Sequence, residues 1–346
     1  MASGDLPDVD VVVVGAGIAG LYAIQRLRQS GFTVRVFESG DDIGGTWHWN
    51  RYPGARVDIP SVDYMFSFDP DWRSDWQWSE KYATQPEILR YLNHIADKFD
   101  LRLAITFDTR VSGAHWDEQA ALWRVDTDAG SVTCRHLVMA TGCLSIPKEP
   151  DIEGIDRFAG AKYFTSRWPH EPVDFTGQRV AVIGTGSSGI QTIPHVAAQA
   201  SALVVFQRTP NFALPAHNGP LAPDKLAQLH DEAAYRESAR LSFGGVPVER
   251  TMVPTFTVSD EERRQRYERA WEIGELLELL NVFADMMSDP AANHELAEFF
   301  RAKIRAAVDD PQTAEMLCPT GYPIGAKRVC LDTDYFVTFN RDNVRL

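Results

Sequence analysis

Two stretches of the chain repeat one order of apolar strand, helix and apolar strand. The first begins with the run "DVVVV" at residues 10–14, which is typical of a parallel strand buried on both faces. A helix is predicted in "LYAIQRLRQSG", where apolar residues recur at helical spacing and a glycine ends the pattern, and "TVRVFE" is the next strand. The second stretch starts at Gln178 with "QRVAVIGTGSSGIQTIPHVAAQASALVVFQRTP" and follows the same plan. The pattern therefore predicts an α/β fold with two similar units.

Glycines at the first strand-to-helix turn indicate what this unit binds. Gly15, Gly17 and Gly20 have the G-x-G-x-x-G spacing. In Rossmann-like domains the first glycine allows a tight turn, the second lets a pyrophosphate approach the helix, and the third permits close packing. Glu38 ends the second strand, where a carboxylate accepts hydrogen bonds from a ribose diol. We predict a dinucleotide with a free ribose diol, such as FAD, at this unit.

The second unit differs from the first at the end of its second strand. Its glycines, Gly184, Gly186 and Gly189, keep the spacing, but Arg208 and Thr209 replace the carboxylate. An arginine pairs with a 2′-phosphate that an acid would repel, and a threonine hydroxyl can donate to it. We predict NADPH at the second unit; the alternative interpretation of Arg208 is an ordinary surface charge. Two dinucleotide sites predict electron transfer from NADPH to a flavin.

Helical spacing dominates the rest of the chain. An amphipathic helix is predicted over Ser79–Asp100 and strands over residues 103–142. The Ser259-x-x-Glu262 pattern predicts a capped helix, and helical spacing follows in "AWEIGELLELLNVFADMM" and "HELAEFFRAKIRAAV". Met286 and Met287 are interpreted as core residues, and loops are expected after Asp310.

Composition excludes several classes of function. The chain has 346 residues and a net charge of −14, which argues against nucleic acid as a main partner. The four cysteines form no C-x-x-C pair, so neither a zinc site nor a redox dithiol is expected. The N-terminus lacks a secretory pattern and no apolar run is long enough to cross a bilayer, so a cytoplasmic location is predicted.

A series of spaced motifs resembles the type I Baeyer–Villiger monooxygenases. The motifs occur in this order: "GAGIAG", "GGTW", "YPGARVD", "ATG", "FAGAKYFTSRWP", "GTGSSG", "QRTP" and "GAKR". The resemblance covers essentially the whole chain. It implies an FAD- and NADPH-dependent enzyme in which a C4a-peroxyflavin attacks a small ketone and converts it, with O2, into an ester or lactone.

The resemblance also implies roles for particular residues. Arg328 is the implied active-site arginine, Asp58 its carboxylate partner, and Lys327 a further contact to the 2′-phosphate; from the pattern alone, a solvated cation pair is the alternative for residues 327 and 328. The further cofactor contacts that it implies are Gly45, Thr46, Trp47, Arg56, Tyr64, Val111, Thr185, Gly186, Ser187, Ser188, Gly189 and Gln191. The aromatic residues near "GGTW" are equally consistent with ordinary core packing.

Two departures from the family qualify this expectation. The family signature F-x-G-x-x-x-H-x-x-x-W-[P/D] is matched by Phe158, Gly160, Trp168 and Pro169, but Phe164 occupies the histidine position. A phenyl ring cannot donate, accept or titrate as histidine does, so weaker coupling between NADPH use and oxygenation is expected. Members of the family also run on beyond residue 346, so the sequence is either a fragment or a record cut short, and weak FAD retention is expected of a chain that ends there.

These features predict a division of the chain and leave other functions open. The predicted domains are an FAD-binding domain at 1–144, an NADPH-binding domain at 145–215 with 321–346, and a helical insert at 216–320. The alternatives to ketone oxygenation are a flavin monooxygenase acting on sulfur or nitrogen, an uncoupled NADPH oxidase, and an inactive nucleotide-binding remnant.

Overall fold

A computed structural model describes residues 6–71, 75–144, 146–221, 232–242, 244–246 and 251–346. The chain divides into two compact units. The first unit comprises Met1–Arg51 and Gln85–Glu171, and the second comprises Tyr52–Thr84 and Pro172–Leu346. These units group residues by their contacts, whereas the predicted domains group them by nucleotide, and the predicted domain bounds remain a prediction.

The first unit is built on a six-stranded mixed sheet. Its strands are β1 (Val9–Val14), β2 (Val34–Phe37), β3 (Ile105–Thr106), β4 (Val111–Asp117), β5 (Leu122–Thr127) and β6 (Gly130–Met139). The order across the sheet is β3-β2-β1-β6-β5-β4; the pairs from β3 to β6 are parallel and the pairs β6–β5 and β5–β4 are antiparallel. Helix α1 (Ile18–Gln29) connects β1 to β2, and Val11, Val12 and Val13 are fully buried, as the continuous apolar run predicts.

The remaining helices of the first unit are α2 (Thr46–Trp49) and α3 (Gln85–Lys98). The prediction of a helix from Ser79 was wrong, because α3 begins six residues later. Residues 81 and 83 pair with other backbone instead: the Ser61 N–H donates to the Lys81 carbonyl (2.8 Å) and the Val57 N–H to the Ala83 carbonyl (3.1 Å). Proline as the second residue of α3 also suits the first turn of a helix, where its missing N–H costs nothing.

The second unit contains the second strand-helix-strand repeat. Strand β7 (Arg179–Ile183), helix α4 (Ser187–Gln199) and strand β8 (Ala202–Phe206) follow each other as predicted. A parallel sheet of order β11-β8-β7 includes β11 (Val344–Arg345), and a separate parallel pair joins β9 (Ala213–Pro215) to β10 (Cys330–Asp332).

Helices form most of the described part of the predicted insert. They are α5 (Glu232–Leu241), α6 (Asp260–Ile273), α7 (Leu276–Leu280), α8 (Pro290–Ala307) and α9 (Pro311–Leu317), and α10 (Tyr335–Thr338) follows β10. Residues 222–231, 243 and 247–250 of the predicted insert lie outside the described residues. The predicted cap of α6 is confirmed, since the Ser259 side chain accepts from the Glu262 N–H at 3.2 Å.

Two predictions for this region were wrong. Helix α9 lies where loops were expected after Asp310, because Asp310 caps its first turn and a proline follows at the first helical position. Met286 is buried as predicted, but Met287 is 56% exposed. The helical spacing that suggested a core position ends at Leu280, and Met287 lies in the turns beyond it, over Gly325. No described helix has the length and apolar character that crossing a bilayer requires.

Candidate active site

The first glycine turn has backbone geometry that excludes side chains at two positions. Gly15 has a φ of +103°, and a Cβ there would lie 2.6 Å from the Ala140 carbonyl oxygen. A Cβ on Gly20 would lie 2.0 Å from the Gly15 carbonyl oxygen, so α1 packs directly on the turn. These are the roles that the G-x-G-x-x-G spacing predicts for its first and third glycines.

The middle glycine leaves the N-terminus of α1 open. Gly17 is the N-cap residue of α1, no side chain caps its N–H groups, and no acidic residue occupies the first turn. Gly45 faces it so closely that a Cβ on Gly45 would lie 2.9 Å from the Gly17 Cα. Uncapped N–H groups between two glycines form a surface that suits a pyrophosphate.

Glu38 is buried beside this turn and accepts hydrogen bonds from its backbone. Its Oε2 accepts from the Ala16 N–H at 2.7 Å and its Oε1 from the Gly40 N–H at 2.8 Å. A carboxylate has about four acceptor positions. Glu38 therefore fixes the glycine turn and keeps acceptor capacity for a ribose diol.

The other predicted contacts of the first nucleotide fall in both units. Gly45 is the N-cap of α2 and Thr46 begins that helix; Trp47 is buried, and its carbonyl accepts from the Gln85 side-chain amide. Val111 begins β4 in the first unit. The predicted contacts that belong to the second unit are Arg56, Asp58 and Tyr64.

The second glycine turn repeats the first, with more space at its middle position. Gly184 also has a φ of +103°, and a Cβ on Gly189 would lie 2.2 Å from the Gly184 carbonyl oxygen. A Cβ on Gly186 would meet no described atom within 4 Å. No side chain caps α4, so the N–H groups at Ser187 and Ser188 face open space that would accommodate a pyrophosphate.

Tyr322 connects the two segments that carry the predicted phosphate-binding cations. Arg208 is exposed and makes no hydrogen bond or ion pair with the described residues. The Tyr322 hydroxyl donates to the carbonyl of Pro210, two residues after Arg208, at 2.8 Å. The Lys327 Nζ lies 4.6 Å from the centre of the Tyr322 ring. Tyr322 thus connects Lys327 to the loop that contains Arg208 and Thr209. The sequence did not predict this role of Tyr322.

Thr185 organises the backbone of that loop. Its hydroxyl is 3.3 Å from the Thr209 carbonyl oxygen and 3.4 Å from Gln207 Oε1. Its own carbonyl accepts from the Asn211 amide at 2.6 Å. Thr185, predicted as a cofactor contact, is buried and holds the loop that carries Arg208.

Arg328 and Asp58 form the ion pair that the sequence predicted. The Arg328 Nε lies 2.6 Å from Asp58 Oδ2, although the two residues are 270 positions apart in the sequence. The arginine side chain is 61% exposed and the aspartate side chain 25%. The hydrogen bond that Arg328 donates to Asp58 raises the pKa of the guanidinium above its ordinary value, so it stays charged. Burial, with the charge of Asp58 as a smaller cause, raises the pKa of the nearby Cys330 thiol to about 11 and keeps it protonated.

Gln191 and Phe164 have surroundings that the sequence did not reveal. The Gln191 side chain is buried on α4 and bonds within the protein, to the Tyr52 hydroxyl and the Arg56 carbonyl. Phe164 is half-buried in the first unit, and its carbonyl accepts from the Arg167 N–H at 2.9 Å. A Cβ on Gly160 would lie 2.7 Å from the Phe158 ring, which explains why glycine fits between these aromatic residues.

Comparison with known proteins gives consistent matches. The family model described as pyridine nucleotide-disulphide oxidoreductase matches residues 12–244. The chain is 43% identical over 98% of its length to 2-oxo-Delta(3)-4,5,5-trimethylcyclopentenylacetyl-CoA monooxygenase of Pseudomonas putida, covering 64% of that protein. It is 39% identical over 98% of its length to cyclohexanone 1,2-monooxygenase of an Acinetobacter species, covering 63% of it. The chain thus spans less than two thirds of the length of these relatives.

Solved structures agree with the sequence relatives. Oxidised steroid monooxygenase bound to NADP is 53% identical, with a TM-score of 0.94 over 97% of this chain and 65% of that one. OTEMO in complex with FAD and NADP is 43% identical, with a TM-score of 0.94 over 98% of this chain and 65% of that one. The predicted α/β fold and the resemblance drawn from the motifs are confirmed.

Proposed function

The chain belongs to the pyridine nucleotide-disulphide oxidoreductase family, and we propose that it is the dinucleotide-binding part of a Baeyer–Villiger monooxygenase. In this proposal FAD, NADPH and O2 serve the insertion of one oxygen atom beside a ketone carbonyl, which gives an ester or lactone. The observation that carries it is the ion pair of Arg328 and Asp58 in a chain with two dinucleotide-type turns.

Both nucleotides fit the residues present. Gly15, Gly17 and Glu38 would hold the FAD pyrophosphate and ribose, since an uncapped helix start and a buried acceptor lie together there. For NADPH, Gly186 leaves room for a pyrophosphate, while Arg208, Thr209 and Lys327 would hold the 2′-phosphate. Bound together, the nucleotides would supply hydride from NADPH and activation of O2 by the flavin.

Arg328 would stabilise negative charge on oxygen. Its Nε donates to Asp58, so the two Nη groups and their four N–H bonds can donate to a ligand. A planar, permanently charged donor placed where an oxyanion develops lowers the energy of that state, because no reorganisation is needed during the reaction.

Asp58 would orient this guanidinium and balance its positive charge with a negative one. The aspartate is the more buried member of the pair, so the flexible arginine is held from the more fixed side. Without a carboxylate at that position, the arginine side chain would lose its charge-assisted hydrogen bond and sample other rotamers.

The proposal extends to substrate and location. A neutral small-molecule ketone suits a protein with a net charge of −14, whereas nucleic acid does not. The four cysteines are free, which is consistent with a reducing compartment, and we place the protein in the cytoplasm.

Product analysis under labelled oxygen tests the proposal. The protein is incubated with FAD, NADPH and heavy-isotope O2, with a cyclic ketone in one sample and a thioether in another. We expect a lactone that carries labelled oxygen, and we expect Arg328→Ala to abolish it while NADPH still reduces the flavin. Sulfoxide without lactone would indicate sulfur oxygenation, and peroxide equal to the NADPH consumed would indicate an uncoupled oxidase; either result contradicts the proposal.

A further inference from the structure

A buried amide on α4 bonds to another segment of the second unit through both its oxygen and its nitrogen. Gln191 lies on α4 and is only 2% exposed. Its Oε1 accepts from the Tyr52 hydroxyl at 2.9 Å, and its Nε2 donates to the Arg56 carbonyl at 3.2 Å. One side chain thus clamps both ends of the segment 52–56 against α4.

The backbone of that segment lies directly on the helix. Gly54 has a φ of +82°, and a Cβ there would lie 2.3 Å from the Gln191 carbonyl oxygen and 2.5 Å from the His195 ring. No residue other than glycine fits this approach without movement of the backbone. The two hydrogen bonds of Gln191 therefore act on a segment whose backbone already lies against α4 and has little freedom to move.

Asp58 follows this clamp by two residues. The Val57 N–H donates to the Ala83 carbonyl at 3.1 Å, which fixes the opposite side of the chain just before Asp58. The carboxylate then accepts from Arg328 at 2.6 Å. The position of the exposed guanidinium thus depends on a buried chain of contacts that begins on α4.

We propose that Tyr52 and Gln191 are positioning residues that hold Asp58 in place and, through it, orient the Arg328 guanidinium. This inference rests on the proposed function for its consequence in catalysis, but the positioning itself is a property of the chain. It also gives Gln191 a role other than the predicted one of a nucleotide contact.

The hydroxyl of Tyr52 is suited to this role. Tyr52 is buried, and burial raises the pKa of its hydroxyl, which therefore remains a donor throughout the neutral range. Removing either partner leaves a buried polar group without its bond, which costs more than the bond itself contributes. The segment would then shift to find another partner.

Chemical modification of Arg328 tests the inference without flavin, NADPH or ketone. Phenylglyoxal reacts with accessible guanidinium groups, and the rate at Arg328 is followed by mass spectrometry of the peptide that contains it. The variants are Tyr52→Phe and Gln191→Leu, each made in the native chain and in Asp58→Ala, which removes the acceptor of Arg328. Thr192→Val is the matched control, because Thr192 is the next residue on α4, is buried, and has a hydroxyl without a hydrogen-bond partner among the described residues.

We expect Tyr52→Phe and Gln191→Leu to accelerate modification of Arg328 about fivefold or more, the factor typical of one lost hydrogen bond. In the Asp58→Ala background the same changes should have no further effect, because the acceptor through which they act is absent. Thr192→Val should leave the rate unchanged. Tyr52→Phe keeps the ring and its packing, so it remains informative even where Gln191→Leu lowers the melting temperature strongly.

Two results would overturn the inference. The first is an unchanged rate in Tyr52→Phe, and the second is acceleration of the same size in the native and Asp58→Ala backgrounds. Because the assay contains no cofactor, a chain that does not oxygenate ketones can still show the expected modification rates at Arg328. Failure of this inference can therefore be distinguished from failure of the proposed function.

Discussion

At the scale of single residues, the predicted site combines residues whose roles the motif order implied with others that only the structure reveals. The pairing of Arg328 with Asp58 followed from matching motifs, and the geometry agrees. The contacts of Tyr322 and Gln191 were not predictable, because an aromatic residue in a loop and an amide on a helix have no distinctive spacing. Sequence patterns therefore identify charged residues more readily than the uncharged residues that hold them in place.

Phe164 is the residue at which this chain departs from the linker signature of the type I Baeyer–Villiger monooxygenases. Phe164→His restores a ring that can donate and accept hydrogen bonds at a half-buried position. If the phenylalanine weakens coupling, the variant should form more ester per NADPH consumed and release less peroxide. The measurement is the ratio of ester to peroxide under identical NADPH consumption, with Ala161→His as the control at an exposed position of the same linker that the signature does not specify. An unchanged ratio would mean that the substitution is neutral.

Asp332 makes the stability of the second unit depend on pH. Burial raises its pKa from 3.8 to about 6, so the folded chain retains a proton that the unfolded chain has released between these values. The stabilising contribution of the protonated form is therefore complete below pH 3.8 and is lost as the pH rises through about 6. Asp332→Asn should remove this dependence while its side-chain oxygen still accepts from the Tyr335 N–H.

Urea denaturation at pH about 4 and about 8 measures the effect. The stability of the native chain relative to Asp332→Asn should fall by up to about 3 kcal/mol between these two conditions. Asp342→Asn is the control, because Asp342 is an exposed aspartate of the same unit and is not one of the groups that raise the pKa of Asp332. A native chain and an Asp332→Asn variant with parallel pH profiles would show that Asp332 does not titrate in this range.

At the scale of elements, the predicted strands and helices were correct where local pattern and tertiary contacts agree. The strand-helix-strand repeats and the Ser259 cap were predictable because apolar runs, glycine turns and caps act within a few residues. The start of α3 was not, because residues 81 and 83 look helical by spacing yet pair with distant backbone. Helix ends that depend on long-range partners leave little trace in the sequence.

Gly54 is the element-level feature that fixes the Tyr52–Asp58 segment against α4. Gly54→Ala meets both left-handed strain and a clash, since its Cβ would lie 2.3 Å from the Gln191 carbonyl oxygen. Gly177→Ala is the matched control in the same unit: its φ is +72°, but a Cβ there meets nothing within 4 Å.

Strain alone costs about 1–2 kcal/mol, so thermal unfolding should show a modest loss for Gly177→Ala and at least about twice that loss for Gly54→Ala. The phenylglyoxal rate at Arg328 should also rise in Gly54→Ala only. Equal melting temperatures for the two variants would show that the segment does not lie firmly on α4.

At the scale of the whole molecule, the chain contains two strand-helix-strand repeats of the same design that differ in the charge at the end of their second strand. Glu38 ends the second strand of the first repeat, and Arg208 follows the second strand of the other. This difference was readable from the sequence because both positions are fixed relative to a glycine turn. The grouping of residues 52–84 with the second unit was not readable, because it is set by contacts such as those of Gln191.

Calorimetric titration of the protein with 2′,5′-ADP and with 5′-AMP, which differ by the 2′-phosphate, tests this difference in charge. We predict that Arg208→Ala weakens binding of 2′,5′-ADP by about tenfold or more and leaves binding of 5′-AMP unchanged, since only one ligand loses a charge-assisted pair. Glu38→Gln should leave the binding of 2′,5′-ADP unaffected. Equal binding of 2′,5′-ADP by the native chain and Arg208→Ala, or a comparable loss in Glu38→Gln, would contradict the assignment of separate nucleotides to the two units.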